Sequence, residues 1–277
     1  MAKKSLAEMS FMDHLEEVRW LLIRSTCAIV IIACACYFID DFIFNTVIFG
    51  PKSPDFVTYK FFCQLTHFFG VNDKYACATE FNFTILNTEV GGQFSIYLWT
   101  LISAGFVLGF PYILYEVWRF ISPALYEKER KNAKVFVFVT SILFFIGVLF
   151  GYFVIVPLSI NFFGTFNVTN TIENKFSVDS YISMIKTSVI ASGLVFELPI
   201  IIYFLAKLGL VDAAFLRKYR KFAIVIILIV AAIVTPPDIP SQIVVSIPIL
   251  LLYEVSIWIA AAVYKKENTT IKTLSNV

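Results

Sequence analysis

The chain has 277 residues, of which 59% are hydrophobic and 15% charged, with 30 phenylalanines and a formal net charge of +2; its mean hydropathy is +0.81. A soluble domain carries about 25% charged residues to cover its surface. This composition therefore excludes a soluble enzyme, a nucleic-acid-binding module and a disordered scaffold. What remains is an all-α polytopic membrane protein, in which the placement of the few charges carries the information.

Residues 1–20 include Asp13, Glu16 and Glu17 and hold no uninterrupted apolar core, so they do not read as a cleavable signal peptide. The apolar run from Trp20 reads as a retained membrane helix. Ser10-Phe11-Met12-Asp13 fits a capping box that would open a helix just before it. That helix is expected to place Met12, Leu15, Val18 and Leu22 on one face and to turn Glu16 and Glu17 away. On charge pattern alone these two acids read as a solvated face paired with Arg19 or Arg24.

A membrane helix needs roughly 20 mostly apolar residues to cross a ~30 Å hydrocarbon core. Six runs qualify as candidates, at about 20–39, 94–118, 135–158, 181–206, 222–234 and 242–264. Ser122-Pro123 looks like an N-cap followed by proline at the first helical position. The third helix would then start near Pro123 and protrude from the bilayer, carrying Glu127 and Glu129 among Lys128, Arg130 and Lys131. The fifth run rises only about 20 Å. The sixth is interrupted by Pro248 and Glu254, so the last two helices are expected to be short and to form a hairpin. The expected architecture is a single integral membrane domain over 1–277 with six transmembrane helices and a long outer loop at 40–93.

Lys and Arg set the orientation. One side collects Lys3, Lys4, Arg19, Arg24, Arg119, Lys128, Arg130, Lys131, Lys134, Lys207, Arg217, Lys218, Arg220, Lys221, Lys265, Lys266 and Lys272, whereas the other holds Lys52, Lys60, Lys74 and Lys175. Both termini are therefore expected in the cytoplasm. Cys27, Cys34 and Cys36 in the first run read as inert apolar residues. Cys63 and Cys77 share the outer loop, where an oxidising compartment would let them pair and close a loop of about 15 residues, worth about 3 kcal/mol; the alternative is two free thiols too far apart to bridge. His67 is the only imidazole nearby and no metal-ligand spacing is present, so no metal or other cofactor is expected.

Glu197 stands deep in the fourth run beside Pro199. A carboxylate there costs several kcal/mol unless neutralised, paired or facing water, which makes it a functional candidate; a protonated Glu bonded to a neighbouring helix for packing is the other reading. Glu254 is a weaker case, and Glu116 reads as an interfacial partner of Arg119. On these residues alone, an ion-coupled transporter or proton channel using Glu197 is open. No catalytic constellation is present, so no enzyme activity is expected.

The chain resembles one family over nearly its whole length: TatC, the polytopic core subunit of the twin-arginine protein translocase. The resemblance is carried by His14-Leu15-Glu16-Glu17-Val18-Arg19, Phe49-Gly50-Pro51, the run 110–125 from Phe110-Pro111 to Ala124-Leu125, and Glu127-Lys128-Glu129-Arg130. It continues in Phe196-Glu197-Leu198-Pro199 and Thr235-Pro236-Pro237-Asp238 followed by Ser241-Gln242. It implies a concave bundle in the cell inner membrane that binds Arg-Arg signal peptides and moves folded proteins across with the proton-motive force. Glu17 and Glu129 match the family's carboxylates for the two guanidinium groups, and Arg19 and Phe120 flank that site. Glu197 matches its intramembrane glutamate. Pro51, Asp238 and Gln242 match outer-side positions. The implied partners are signal peptides of folded cargo, TatA- or TatB-type single-span subunits, other TatC copies and membrane lipid, with no nucleic acid. The loop holding Cys63 and Cys77 is longer than the family's. The chemistry agrees with the resemblance, because a guanidinium is a planar fork of donors that a carboxylate accepts bidentately and a lysine ammonium is not.

Overall fold

In hydrocarbon no water is available to backbone N–H and C=O groups, so apolar runs become helices that satisfy their own backbone. The structure, a computed structural model, describes residues 11–69, 83–122, 133–166, 169, 174–235 and 239–275. Its helices are α1 (Phe11–Cys36), α2 (Val57–Phe69), α3 (Gly92–Ile121), α4 (Ala133–Phe150), α5 (Val156–Thr165), α6 (Val178–Phe196), α7 (Leu198–Lys207), α8 (Ala213–Lys218), α9 (Arg220–Val234) and α10 (Ile239–Ser275). Strands β1 (Thr84–Leu86) and β2 (Lys175–Ser177) pair in parallel, with Ile85 opposite Phe176. Among the described residues, five helical stretches are long and apolar enough to cross a bilayer: Leu15–Ile39, Gly92–Ile121, Lys134–Thr165, Val178–Lys207 and Gln242–Tyr264. The 15 residues of α9 rise about 22 Å, which agrees with the expectation of a short fifth helix.

The chain divides into two compact units. The first is drawn from Met1–Gly50, Thr84–Leu143 and Lys175–Lys186. Its centre is an antiparallel pair, α1 against α3. A Cβ added at Gly105 would stand 2.6 Å from the Ile29 carbonyl oxygen, and one at Gly109 would stand 3.1 Å from Ile32 Cδ1. Small residues let two backbones approach in a medium where apolar side chains gain nothing by leaving lipid. At one end the Tyr97 hydroxyl donates to Asp40 at 2.7 Å. At the other Arg24 Nη1 donates to Glu116 at 3.0 Å.

The covered stripe of α1 is not its apolar face of Met12, Leu15, Val18 and Leu22, of which only Val18 is partly covered. Protein covers, fully or in part, Leu21, Arg24, Ser25, Ala28, Ile29, Ile32, Ala33 and Cys36, while Met12, Leu15 and Leu22 are exposed. Glu16 is turned outward as expected, but Glu17 is half-buried. A helix in lipid reverses the soluble pattern, because its polar side chains gain more from a protein neighbour than its apolar ones do. Ser122 closes α3, its N–H donating to the Trp118 carbonyl; the expected helix start at Pro123 lies outside the described residues.

The second unit is drawn from Pro51–Phe83, Phe144–Asn174 and Thr187–Val277. Cβ atoms at Gly147 and Gly151 would stand 2.7 and 2.9 Å from the carbonyl oxygens of Ser192 and Ser188, so two small residues one turn apart face two serines one turn apart. The α4 helix passes through a wider π-helical stretch, Gly151–Ile155, into α5. Pro157 has no N–H for the Phe153 carbonyl one turn earlier. The Thr58 hydroxyl on α2 supplies the missing donor at 2.7 Å, and the ring of Phe56 stacks on Phe153 with centroids 5.7 Å apart.

The fourth run breaks at Glu197 into α6 and α7, two residues before Pro199: the Glu197 N–H turns to Leu194 O at 3.1 Å. The last helix is not short, contrary to expectation. Pro248 lies inside a helix of 37 residues. Val245, Ile249, Tyr253, Ile257 and Ala260 are buried at helical spacing on both sides of the proline. That continuous packed face outweighs the one hydrogen bond a proline removes. Its partners in the core include Ile202, Ala206, Ile227, Ala231 and Val234.

The glycine contacts have a measurable consequence. Gly105→Ala is expected to destabilise the detergent-solubilised protein by about 1–3 kcal/mol through overpacking against Ile29, whereas Gly91→Ala, with nothing within 4 Å of its added Cβ, is expected to stay within about 0.5 kcal/mol of the parent. Thermal unfolding followed by size-exclusion chromatography reads both.

Candidate functional site

Two groups of polar residues stand where polarity is costly. The first lies in the first unit, at the end of the α1–α3 pair where α3 finishes. Glu116 is 3% exposed. Its Oε2 accepts from Arg24 Nη1 at 3.0 Å, its Oε1 accepts from the Tyr112 hydroxyl at 3.1 Å, and Arg119 Nη1 is 3.8 Å from Oε1. The expected Glu116–Arg119 contact is thus present but is the longer of two. Arg24 pairs with Glu116 and not with Glu16 or Glu17. The guanidinium carbons of Arg24 and Arg19 each lie 5.9 Å from the Trp20 ring centroid.

Glu17 precedes Arg24 by seven residues, two helical turns or about 10.5 Å along the same face. Continuing the antiparallel register from Arg24–Glu116 by the same seven residues leads just beyond Ile121, the last residue of α3; Phe120, four residues from Glu116, is half-buried. Arg19 is exposed. Glu129 lies outside the described residues.

The second group lies in the second unit. Glu197 is 7% exposed, and among the described residues neither of its carboxylate oxygens has a hydrogen-bond partner. Apolar residues hem it in: Phe196 packs on Phe150 with centroids 5.5 Å apart, and Val195 and Leu198 lie against the unit's core. Glu254, by contrast, accepts from Arg220 Nη2 at 2.8 Å.

Pro51 and Gln242 make their contacts within the second unit. Pro51 is fully buried, and its carbonyl accepts from the Tyr59 hydroxyl at 3.0 Å, which also lies 3.4 Å from the Pro157 carbonyl. Cys63 is disulfide-bonded, while Cys27, Cys34 and Cys36 are free; Cys77 lies outside the described residues. Gln242 Nε2 donates to the Leu228 carbonyl at 3.0 Å and so ties α10 to α9. Asp238 lies outside the described residues.

A family profile described as Sec-independent protein translocase protein (TatC) matches residues 13–248. This chain belongs to the TatC family. The TatC protein of Blattabacterium sp. subsp. Periplaneta americana is 43% identical over 265 residues, 96% of this chain and 100% of its own. The TatCy protein of Bacillus subtilis is 32% identical over 267 residues, 96% of this chain and 94% of its own. A crystal structure of the twin arginine translocase receptor TatC aligns with a TM-score of 0.68 at 30% identity, covering 91% of this chain and 99% of the other.

As a TatC-family member the chain is a core subunit of a Sec-independent protein translocase, a multi-pass helical membrane protein of protein transport. Sequence reasoning about this TatC protein placed Glu17, Phe120 and Glu197 as candidates, but it missed two features. The first is the Arg24–Glu116 pair, for which the readable signal was Arg24 itself, a base set inside an apolar run. The second is Tyr59, and nothing in its sequence context marks it as the donor to two proline carbonyls. Tyr59→Phe is expected to lower stability by about 1–3 kcal/mol by leaving buried acceptors without their donor, read as a fall in thermal midpoint with the solubilised protein still monodisperse.

Proposed function

We propose that this chain is the signal-peptide receptor and core of the twin-arginine translocase of a cell inner membrane, with both termini in the cytoplasm. It binds Arg-Arg signal peptides and moves folded proteins across with the proton-motive force. What supports this reading is that Glu17 is half-buried on α1, two turns before the Arg24 that meets Glu116 of α3; a carboxylate there accepts a guanidinium arriving from the cytoplasmic surface bidentately. Glu129 follows α3 closely in sequence and supplies the second carboxylate. Arg19 and Phe120 flank the pair. A lysine pair lacks the planar fork and is bound less well.

Glu197 is the contact for a single-span TatA- or TatB-type partner. A buried carboxylate without a partner among the described residues is satisfied by a polar donor on a helix docked against it. Other TatC copies and lipid complete the surroundings. An ion-coupled transporter would have to work through Glu197 alone, since Glu254 is engaged by Arg220.

Site-specific photo-cross-linking tests the receptor role. Glu17→Ala and Glu129→Ala are each expected to abolish cross-linking of a twin-arginine signal peptide while leaving membrane insertion intact; undiminished cross-linking and export in both variants would reject it. For the intramembrane site, Glu197→Gln is expected to retain export and Glu197→Leu to lose it, scored by translocation of a folded reporter. Full export by the leucine variant, or ion flux from the purified protein alone in liposomes, would reject the partner-contact role.

A further inference from the structure

Of the polar groups in the first unit, Glu116 has the most donors aimed at it, and the proposed function gives it no role. Its carboxylate side chain is 4% exposed and meets Arg24, Tyr112 and Arg119. A buried ion pair contributes little net stability, because desolvating two charges offsets most of their attraction; its best-attested use is to fix register between elements. The α1–α3 pair has need of such a device. Its close approaches at Gly105 on Ile29 and Gly109 on Ile32 are close-packing contacts that carry no directional donor. The Arg24–Glu116 hydrogen bond is directional.

Register matters here because a one-residue slip of α1 turns each of its side chains by about 100°. Glu17 lies two turns from Arg24 on the face toward α3, and Phe120 lies one turn from Glu116 on the corresponding face of α3. The pair therefore lies one to two turns from both Glu17 and Phe120, on the same side of each, and fixes how far α1 has slid along α3 where they stand. Charge adds to this: Arg24 and Arg119 both face Glu116, so its carboxylate is already matched and does not compete with Glu17 for an incoming guanidinium.

We infer that Arg24 and Glu116 are positioning residues for twin-arginine recognition: with the Tyr97–Asp40 bond at the opposite end, their ion pair holds α1 against α3 in the register that presents Glu17 near the end of α3. The inference rests on the receptor reading above and adds to it the element that sets Arg-Arg over Lys-Lys preference.

The test uses the full chain in membrane vesicles, with photo-cross-linking of a twin-arginine and a twin-lysine signal peptide and the thermal midpoint recorded beside each. Arg24→Gln and Glu116→Gln are each expected to reduce twin-arginine cross-linking about tenfold, the loss of roughly 1.4 kcal/mol of preorganised binding, and to narrow the Arg-Arg over Lys-Lys preference. The exchanged variant Arg24→Glu/Glu116→Arg, made with Arg119→Gln so that the new arginine meets no second guanidinium, is expected to restore both to within about twofold, since it rebuilds the bridge with its ends reversed. If the single variants fail to insert, Arg24→Met/Glu116→Leu removes both charges without leaving either unpaired, and it is expected to insert and still lose the preference. Parental preference in the single variants or in the Met/Leu variant overturns the inference. So does an exchange that restores the thermal midpoint without restoring preference, which would make the pair structural only. Glu17→Ala separates the two levels: if it leaves cross-linking intact the receptor reading falls and the inference with it, whereas loss in Glu17→Ala beside unaffected Arg24 and Glu116 variants rejects the positioning role alone.

Discussion

A carbonyl without a donor inside hydrocarbon costs several kcal/mol, and each proline in a membrane helix creates one. Much of this structure follows from how those carbonyls are served. Pro157 deprives Phe153 of its donor, and Thr58 on α2 replaces it. The carbonyls of Pro51 and Pro157 both lie within reach of the Tyr59 hydroxyl. Within the first unit the Tyr181 hydroxyl donates to the Ile48 carbonyl where a π-helical stretch ends. The hydroxyl groups of Thr58, Tyr59 and Tyr181 thus tie the segments around the spans together through backbone carbonyls.

The same cost explains why the buried carboxylates differ in kind. Glu116 is surrounded by donors and neutralised by arginine, so its burial is compensated within the subunit. Glu254 has Arg220 at a half-exposed position where water can share the load. Glu197 has neither base nor donor among the described residues. Functional sites are where a chain tolerates an unsatisfied group, and the contrast among these three acids supports assigning Glu197 to a contact outside the chain and Glu116 to one inside it.

Much of the architecture was legible before any coordinates. Charge scarcity and apolar run length placed the five long spans and the short α9, and Pro199 marked the break at Glu197. The sequence pattern put Met12, Leu15, Val18 and Leu22 on one apolar face but did not say what covers it, because hydrophobicity does not distinguish lipid from protein interior; Met12, Leu15 and Leu22 are exposed and Val18 is half-buried. It also shortened the last helix at Pro248, because a proline's cost is local and visible while the packing of Val245, Ile249, Tyr253 and Ile257 that overrides it is not.

By itself, then, the sequence determined which segments enter the membrane and which acids stand in costly places, since length, periodicity and charge are properties of a segment taken alone. Only the tertiary structure decided that Arg24 belongs to Glu116, 92 residues away, that Tyr59 serves Pro51 and Pro157, and that Glu17 is half-buried. Those pairings depend on the register in which glycines allow two backbones to meet, and register is a relation between helices that no single helix encodes.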